Sequence, residues 1–516
     1  MKVVDSETEV TSAAFVSKQM SKDVAGSAEQ SGNDGFRELW GKPNAEINQV
    51  EWRRLCDLSQ KLAATLPVID RRERFGPLVG SDDLRVAPLH RWFSYKEGFS
   101  PALLGEVIQE LQLPDEMQVA DVFGGVATTA LAGMDHPSVQ EVRSLEYSPL
   151  AHFVGQTKIG WPKLDPDRLC RLVPIALDYD HQRPVEFPSL SSFRNPSIFP
   201  RSRLHSLLAA RDHVRELDIS EAELRFFLLG IVGVTEDLSG AMKDGRALRI
   251  KRSRSRRARS LADADPGFRV EGTVKRALAG QWSSMVQDLK EVAVRREQAE
   301  LTAVHHLSGD ARNLIDVKFD AGTAGFPEGW ADLSVFSPPY LNCIDYTELY
   351  KLELWLMEHV VDQQGFRKTR LGTLRSHPSI QFPQTQYFGD RKGKVIELIE
   401  GLAKWMTDYS RRASTGTIVK QYFEDMFLVF QEQLRLLRPG AAAVCVVANS
   451  TFSRREKDKE GRWQEMWRLP ILTDVILGHL ALLAGFESVE ILSARDLRPR
   501  NIKNGYARES LVVAKK

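Results

Sequence analysis

Four residues, Ser337-Pro338-Pro339-Tyr340, follow directly on the apolar run ADLSVF. Neither proline has an N–H to donate to a sheet ladder, so a strand must stop there and the backbone must continue as a stiff extended corner. Such a corner gathers a hydroxyl, unpaired carbonyl oxygens and an aromatic ring at one point. Those are two hydrogen-bond acceptors beside a stacking surface; a plain strand-ending turn would use neither. A second group of residues lies far upstream in QVADVFGGVATTALAG. Gly124 and Gly125 let the backbone come close to a ligand, and Asp121 at a strand end can fix a polar ligand group. Glu146 ends the run EVRSLE and is placed to hydrogen-bond a ribose diol. The plain alternative is an ordinary glycine turn with a solvated carboxylate.

These groups need elements to position them. QVADVF, the glycine turn, the small residues ATTALAG and EVRSLE read as strand, turn, helix and strand, the start of a doubly wound α/β sheet. Further on, Phe423, Phe427, Phe430, Leu434 and Leu437 predict one helical face, with Pro439-Gly440 as its stop and AAAVCVVANS as a buried strand. The closing segment from Leu472 predicts a helix and a hairpin. Near the start, Leu55, Leu58 and Leu62 recur at helical spacing and predict a helical lead-in.

Taken together, the glycine turn and SPPY resemble the amino-methyltransferases of DNA, which depend on S-adenosyl-L-methionine and act on cytosine N4 or adenine N6. The resemblance covers roughly Arg91 to Pro162 and His305 to Lys516. It implies a Rossmann-like class I methyltransferase fold: a doubly wound, mostly parallel seven-stranded sheet carrying a helical insertion. It further implies that Phe99 and Ser100, in RWFSYKEGFSPALL, lie beside the methionine part of the cofactor. Asp121, Phe123, Gly124, Gly125, Thr128 and Glu146 would surround the cofactor, and Asp310, in HHLSGDARNL, would contact its adenine. At the corner, Ser337 Oγ and the Pro338 carbonyl would accept hydrogen bonds from the target amine, with Pro339 completing the catalytic turn. Tyr340 would stack on a base flipped out of the duplex.

Two departures from the family pattern matter. The cofactor loop reads GGVATT where GSGTT is usual, which bears on cofactor affinity. The cofactor loop also precedes SPPY, whereas many cytosine-N4 enzymes run in the opposite order. Serine at the first motif position favours cytosine N4 over adenine N6. An RNA or release-factor methyltransferase, usually spelled with Asn first, and a catalytically silent DNA-binding subunit of a defence complex are the alternatives. Cys343 lies near the motif without the Pro-Cys pair that a cytosine-C5 enzyme needs, and reads as a small buried thiol.

Across 516 residues the formal net charge is +1, so a nucleic-acid partner has to be sought in local charge. KDGRALRIKRSRSRRARS supplies it: Lys243, Arg246, Arg249, Lys251, Arg252, Arg254, Arg256, Arg257 and Arg259 against Asp244 alone. Such a run is suited to the phosphates of double-stranded DNA. A second basic segment, GFRKTRLGTLRSHPSIQFPQTQYFGDRKGK, reads as a loop with interleaved aromatics. Asp345, Tyr346 and Tyr350 read either as lining a base pocket or as capping and core residues. Cys56, Cys170, Cys343 and Cys445 form no CxxC pair, which predicts no zinc and a reducing, cytoplasmic setting. No apolar run reaches membrane-spanning length. The expected organisation is a disordered tail over 1–38, a helical lead-in over 39–89, a cofactor-binding half over 90–164, a helical basic insertion over 165–302 and a catalytic half over 303–516. Absence of a nuclease-like carboxylate cluster would leave any DNA cleavage, in a restriction or phage-defence system, to partner proteins.

Overall fold

A computed structural model describes residues 48–189, 195, 197–243, 248–250, 268–296, 302–319, 323–342, 345–458, 460–497 and 507–516. Among the described residues eight strands form the main sheet: β1 (Val68–Asp70), β2 (Met117–Asp121), β3 (Val139–Glu146), β4 (Ala303–Ser308), β5 (Ala331–Phe336), β6 (Leu437–Ala448), β7 (Ser488–Leu497) and β8 (Ala507–Lys515). Their spatial order is β1-β7-β8-β6-β5-β2-β3-β4. All neighbours pair in parallel except β8, which runs antiparallel to both β7 and β6. This is the doubly wound, Rossmann-like α/β architecture that the sequence implies, with eight strands instead of seven. The extra strand comes from the lead-in, where Val68, Ile69 and Asp70 pair with Ile491, Leu492 and Ser493.

The apolar runs are continuous because both faces of the sheet are covered. Along β5, Leu333 and Val335 point into one core while Phe336 points into the other; along β6, Val444 and Val446 oppose Cys445 and Val447. Helices Gln49–Ala63, Lys394–Tyr409, Ser414–Leu436 and Thr473–Ala484 pack over the second face. Helices Arg201–Glu216, Glu221–Gly233 and Phe268–Arg296 pack Phe227, Leu229 and Trp282 into a core that they share with Trp92, Leu131, Val154 and Trp355.

Two local expectations are corrected. The helix that carries Phe423, Phe427, Phe430 and Leu434 stops at Leu436, and Leu437 already begins β6. Pro439-Gly440 instead occupies a register shift at the start of that strand, with Gly440 at φ 81° donating to the Lys516 carbonyl. The basic segment after SPPY is also not all loop, since Gln363–Gly372 is helical, its first turn capped by Asp362 through Gly365 N–H.

After β2 the chain builds outward to β3 and β4, then returns to place β5 and β6 on the other side. The carboxyl ends of β2 and β5 therefore flank the point where the winding reverses, which is where open α/β sheets form a crevice.

Candidate functional site

A cavity of about 430 Å³ opens at that reversal point. It brings together Phe99, Asp121, Phe123, Gly124, Gly125, Thr128, Glu146, Asp310, Ser337, Pro338, Pro339 and Tyr340, which the sequence scatters over more than 200 positions. Ser100 is the exception. It lies behind the wall, fully buried, and its hydroxyl donates to Asp83 at 2.6 Å.

At the end of β2, the Asp121 carboxylate accepts the Phe123 N–H at 3.0 Å and the Thr129 hydroxyl at 2.6 Å, which shapes the turn from within. A side chain on Gly124 would put its Cβ 1.9 Å from Ser144 Oγ, so only glycine lets this turn settle onto β3. Gly125 takes φ 53°, and Ala127 follows in the left-handed region at φ 67°, where a glycine would rest without strain. Glu146 closes the arrangement by accepting Gly125 N–H at 2.9 Å and Ser148 N–H at 2.6 Å. Burial raises the Glu146 carboxyl to about 7 and Asp121 to about 6. Asp310, beyond β4, is gripped by the Arg312 guanidinium, which also reaches Asp425.

At the corner after β5, Ser337 Oγ donates to the Val446 carbonyl at 3.1 Å, while Tyr340 Oη donates to Glu509 Oε1 at 2.7 Å. Arg495 Nε donates to Glu509 Oε2 at 2.7 Å. Burial, then the Glu509 charge, push the Tyr340 phenol well above its usual range. Glu509 and Arg495 escaped the sequence reading. Their one signal is a lone acid at the head of the apolar run SLVVA, whose partner is on the neighbouring strand.

The remaining walls come from Tyr95, Lys96 and Glu97, from Asp345, Tyr346 and Tyr350, and from the stretch Thr373 to Phe382. Asp345 does both things open to it: it caps the helix Tyr346–Leu349 and lines the cavity, where Arg370 and Ser379 donate to it. Tyr350 Oη donates to Glu97 at 2.8 Å.

The basic run is only partly described. Lys243 is drawn out of it: alternation along the short strand Ala241–Lys243 turns its side chain inward, where Nζ meets Glu353 at 2.6 Å and the Tyr350 ring at 4.2 Å. Its charge is spent in the core and cannot meet phosphate. Arg249 is exposed on the opposite arm of that hairpin. Arg246, Lys251, Arg252, Arg254, Arg256, Arg257 and Arg259 lie outside the described residues, as does Cys343. Among the described residues no group of His, Cys, Asp and Glu side chains could hold a metal ion, and no helix is long and apolar enough to cross a membrane.

Sequence comparison matches this architecture to known enzymes. The chain is 22% identical over 419 residues to the Type II methyltransferase M.BsoBI of Geobacillus stearothermophilus, covering 75% of this chain and 79% of that protein. The chain belongs to the S-adenosylmethionine-dependent methyltransferases. The Type II methyltransferase M.AvaI of Nostoc sp. is likewise 22% identical to it over 420 residues, covering 78% of this methyltransferase and 80% of the relative. No family model matches the chain. Among solved structures, the rRNA methyltransferase aviRa from Streptomyces viridochromogenes aligns with 84% of this methyltransferase and 92% of its own chain. At a TM-score of 0.26 and 10% identity that alignment bears on neither fold nor substrate.

Proposed function

We propose that this methyltransferase modifies the exocyclic amino group of a base in double-stranded DNA, with cytosine N4 as the target and S-adenosyl-L-methionine as the donor. The observation that carries the reading is the hydrogen bonding of Ser337. Its proton goes to the Val446 carbonyl at 3.1 Å, with Tyr340 Oη a longer 3.5 Å away, which leaves the hydroxyl oxygen able to accept where it lines the cavity shared with the Asp121–Gly125–Glu146 turn.

The residues fit the donor. A glycine-only approach at Gly124 leaves room for a ligand against bare backbone, and Glu146 has lone pairs beyond those used by Gly125 and Ser148 for a ribose diol. Bound there, the donor supplies a methyl group on a sulfonium, an electrophile that an amine attacks directly. The protein has to orient the amine, whose lone pair is otherwise delocalised into the base. Ser337 Oγ and the Pro338 carbonyl accept its two N–H groups, drawing the nitrogen toward tetrahedral geometry with its lone pair toward the donor. Tyr340 provides the stacking face for the flipped base. Transfer leaves the methylated amine cationic with one proton in excess, and that acidic proton is lost to solvent water after the methyl group has moved.

No thiolate is needed. Cys445 lies within β6 and burial pushes its thiol far up, and no cysteine lines the cavity among the described residues. Serine at the first motif position supports cytosine N4. Arg249 and the basic run beyond it support attraction to DNA phosphates, and the names of the two Type II relatives support a place in a restriction-modification pair, with cleavage by a separate protein.

The test is transfer from labelled donor to mixed-sequence duplex DNA, with the nucleosides separated by mass. N4-methylcytosine that Ser337→Ala abolishes is the expected result. N6-methyladenine would keep the mechanism and overturn the base; labelling of RNA and not of DNA would overturn the substrate.

A further inference from the structure

β6 ends at Ala448, two residues past the Val446 carbonyl that receives Ser337, and two antiparallel strands follow it, Ser450–Lys457 and Trp463–Ile471. Ser450 Oγ donates to the Leu341 carbonyl at 2.6 Å, so this hairpin starts beside the residue that follows Tyr340. Its first strand has eight residues, which at about 3.3 Å each span about 25 Å. The two faces differ. Phe452, Trp467 and Leu469 turn into the core, where Trp467 meets the Trp405 ring edge-on and, with Arg454, donates to the Tyr409 carbonyl. Ser453, Arg455 and Lys457 are exposed, and Trp463, directly opposite Lys457, is 57% exposed.

That outer face is cationic. Every described acid of the hairpin is already matched: Arg454 holds Glu456, Arg462 holds Asp458 and Glu460, and Arg468 holds Glu465. Arg455 and Lys457 have no carboxylate within ion-pair distance among the described residues. Lys457 Nζ lies 5.4 Å from the centre of the Trp463 ring, which orients the charge without neutralising it. Two further exposed cations continue the strip toward the cavity. Arg411 Nη2 donates to the Arg455 carbonyl at 3.2 Å. Arg412, next to it, is close enough for its charge to act on His377, which lines the cavity. Burial lowers the His377 imidazole from its usual range against the pull of Asp345, and Arg370 and Arg412 add to the lowering. Four exposed cations thus connect the hairpin to the mouth of the cavity.

The ligand that complements such a strip is an extended polyanion reaching from the hairpin to the site, and the backbone of a duplex has that form. A two-stranded ribbon also matches the width of a major groove. We propose that the hairpin 450–471 is an arm that grips double-stranded DNA beside the target base, with Arg412, Arg455 and Lys457 on backbone phosphates. This rests on the DNA reading above, and it adds a contact surface separate from the basic run at Arg249.

Fluorescence anisotropy with a labelled mixed-sequence duplex, read between about 50 and 200 mM salt, tests it. In the double variant Arg455→Gln, Lys457→Gln the slope of log K against log salt should fall by about two, about 0.9 for each phosphate contact, and affinity at the low-salt end should fall at least tenfold. The double variant Lys61→Gln, Lys515→Gln makes the same change of charge elsewhere. Lys515 pairs with Ala442 near the start of β6 and Lys61 lies in the helix leading into β1, so both stand at the opposite edge of the sheet, and the slope should be that of wild type. All four side chains are exposed, so melting temperatures should also match wild type. Should Arg455→Gln, Lys457→Gln not fold, Arg412→Gln, outside the hairpin, carries the comparison with a fall of about one. An unchanged slope in the hairpin variant, or equal falls in both double variants, would overturn the arm and leave DNA as the substrate. A wild type that binds RNA and no duplex DNA would overturn the DNA reading, and this inference with it.

Discussion

Tyr340 donates its phenol proton to Glu509 across 2.7 Å, although 169 residues separate them in the chain. The contact exists because β8 runs antiparallel to its neighbours, so its first residues arrive at the edge where β5 and β6 end. Arg495, at the far end of β7, arrives at the same edge and donates to the other carboxylate oxygen. Glu509 thus fixes where the Tyr340 ring of the corner stands.

Glu509→Ala should therefore leave a buried phenol and a guanidinium without their acceptor, at a cost of about 1–3 kcal/mol in stability. It should also lower the methylation rate at least tenfold while S-adenosylhomocysteine binds as in wild type. Glu509→Gln keeps an acceptor for Tyr340 and should recover most of the rate. Denaturant unfolding and single-turnover methylation measure the two effects; equal rate losses in both variants would assign the effect to the lost charge, not to Tyr340's position.

The glycine turn gives a steric prediction. Gly124→Ala places a Cβ 1.9 Å from Ser144 Oγ, so the turn must lift from β3. S-adenosylhomocysteine affinity should fall at least tenfold. Adding Ser144→Ala removes that oxygen and leaves the nearest remaining atoms, His306 Cε1 and Ser144 Cβ, at 3.1 and 3.2 Å, and the double variant should recover most of the affinity. Titration of the single and double variants checks it, and additive losses would place the clash elsewhere.

Glu146 gives a pH prediction. Its carboxyl is raised from 4.5 to about 7 by burial, so the folded protein holds a proton that the unfolded chain has released between those values. Its contribution to stability therefore falls as pH rises from about 4.5 through 7. His90 and His306, both lowered to about 3 by burial, act in the opposite sense below 6.5, so the informative quantity is wild type minus Glu146→Gln. That difference in melting temperature should shift against wild type across the window. S-adenosylhomocysteine binding should move the other way, because in the proposed site the ribose hydroxyls would donate to the ionised carboxylate. Affinity should gain roughly tenfold per pH unit up to about 7 and then level off, and Glu146→Gln should lose this dependence.

Asp121, Gly124, Gly125, Glu146 and the SPPY corner were legible because each is a local signal at a strand end, where one stretch of chain carries both the element and its chemical group. Glu509, Arg495 and Glu97 were not, because their meaning is a partner on a distant segment. Lys243 was misread for a related reason: a count of basic residues holds no information on direction, and one step of strand alternation turned this one into the core. Pro439-Gly440 carried a true break signal, but the chain broke two residues earlier and used the pair to shift the register of β6. In each case the residue type was visible in the sequence, and tertiary pairing decided where its side chain stands.

The same distinction governs the stretch Thr373 to Gly393, whose sequence reads as a basic loop with interleaved aromatics and whose residues Leu374, Ser376, His377, Ile380 and Phe382 line the cavity. It is held by Arg375, which meets Asp425 through Nη2 at 2.5 Å and Nε at 2.9 Å, while its backbone N–H reaches the same carboxylate at 3.0 Å. Asp425 is fully buried in the helix Ser414–Leu436 and also receives Arg312. Removing it by Asp425→Ala strands the Arg375 guanidinium in the interior, while Arg312 keeps Asp310, and should cost about 3–5 kcal/mol. Asp408→Ala, which breaks the exposed pair with Lys404, should change stability by no more than about 0.5 kcal/mol. Urea unfolding compares the two, and limited proteolysis locates the effect: cleavage between His377 and Lys392 should accelerate in Asp425→Ala alone. Equal protection of that stretch in both variants would mean that the wall stands without its buried ion pair.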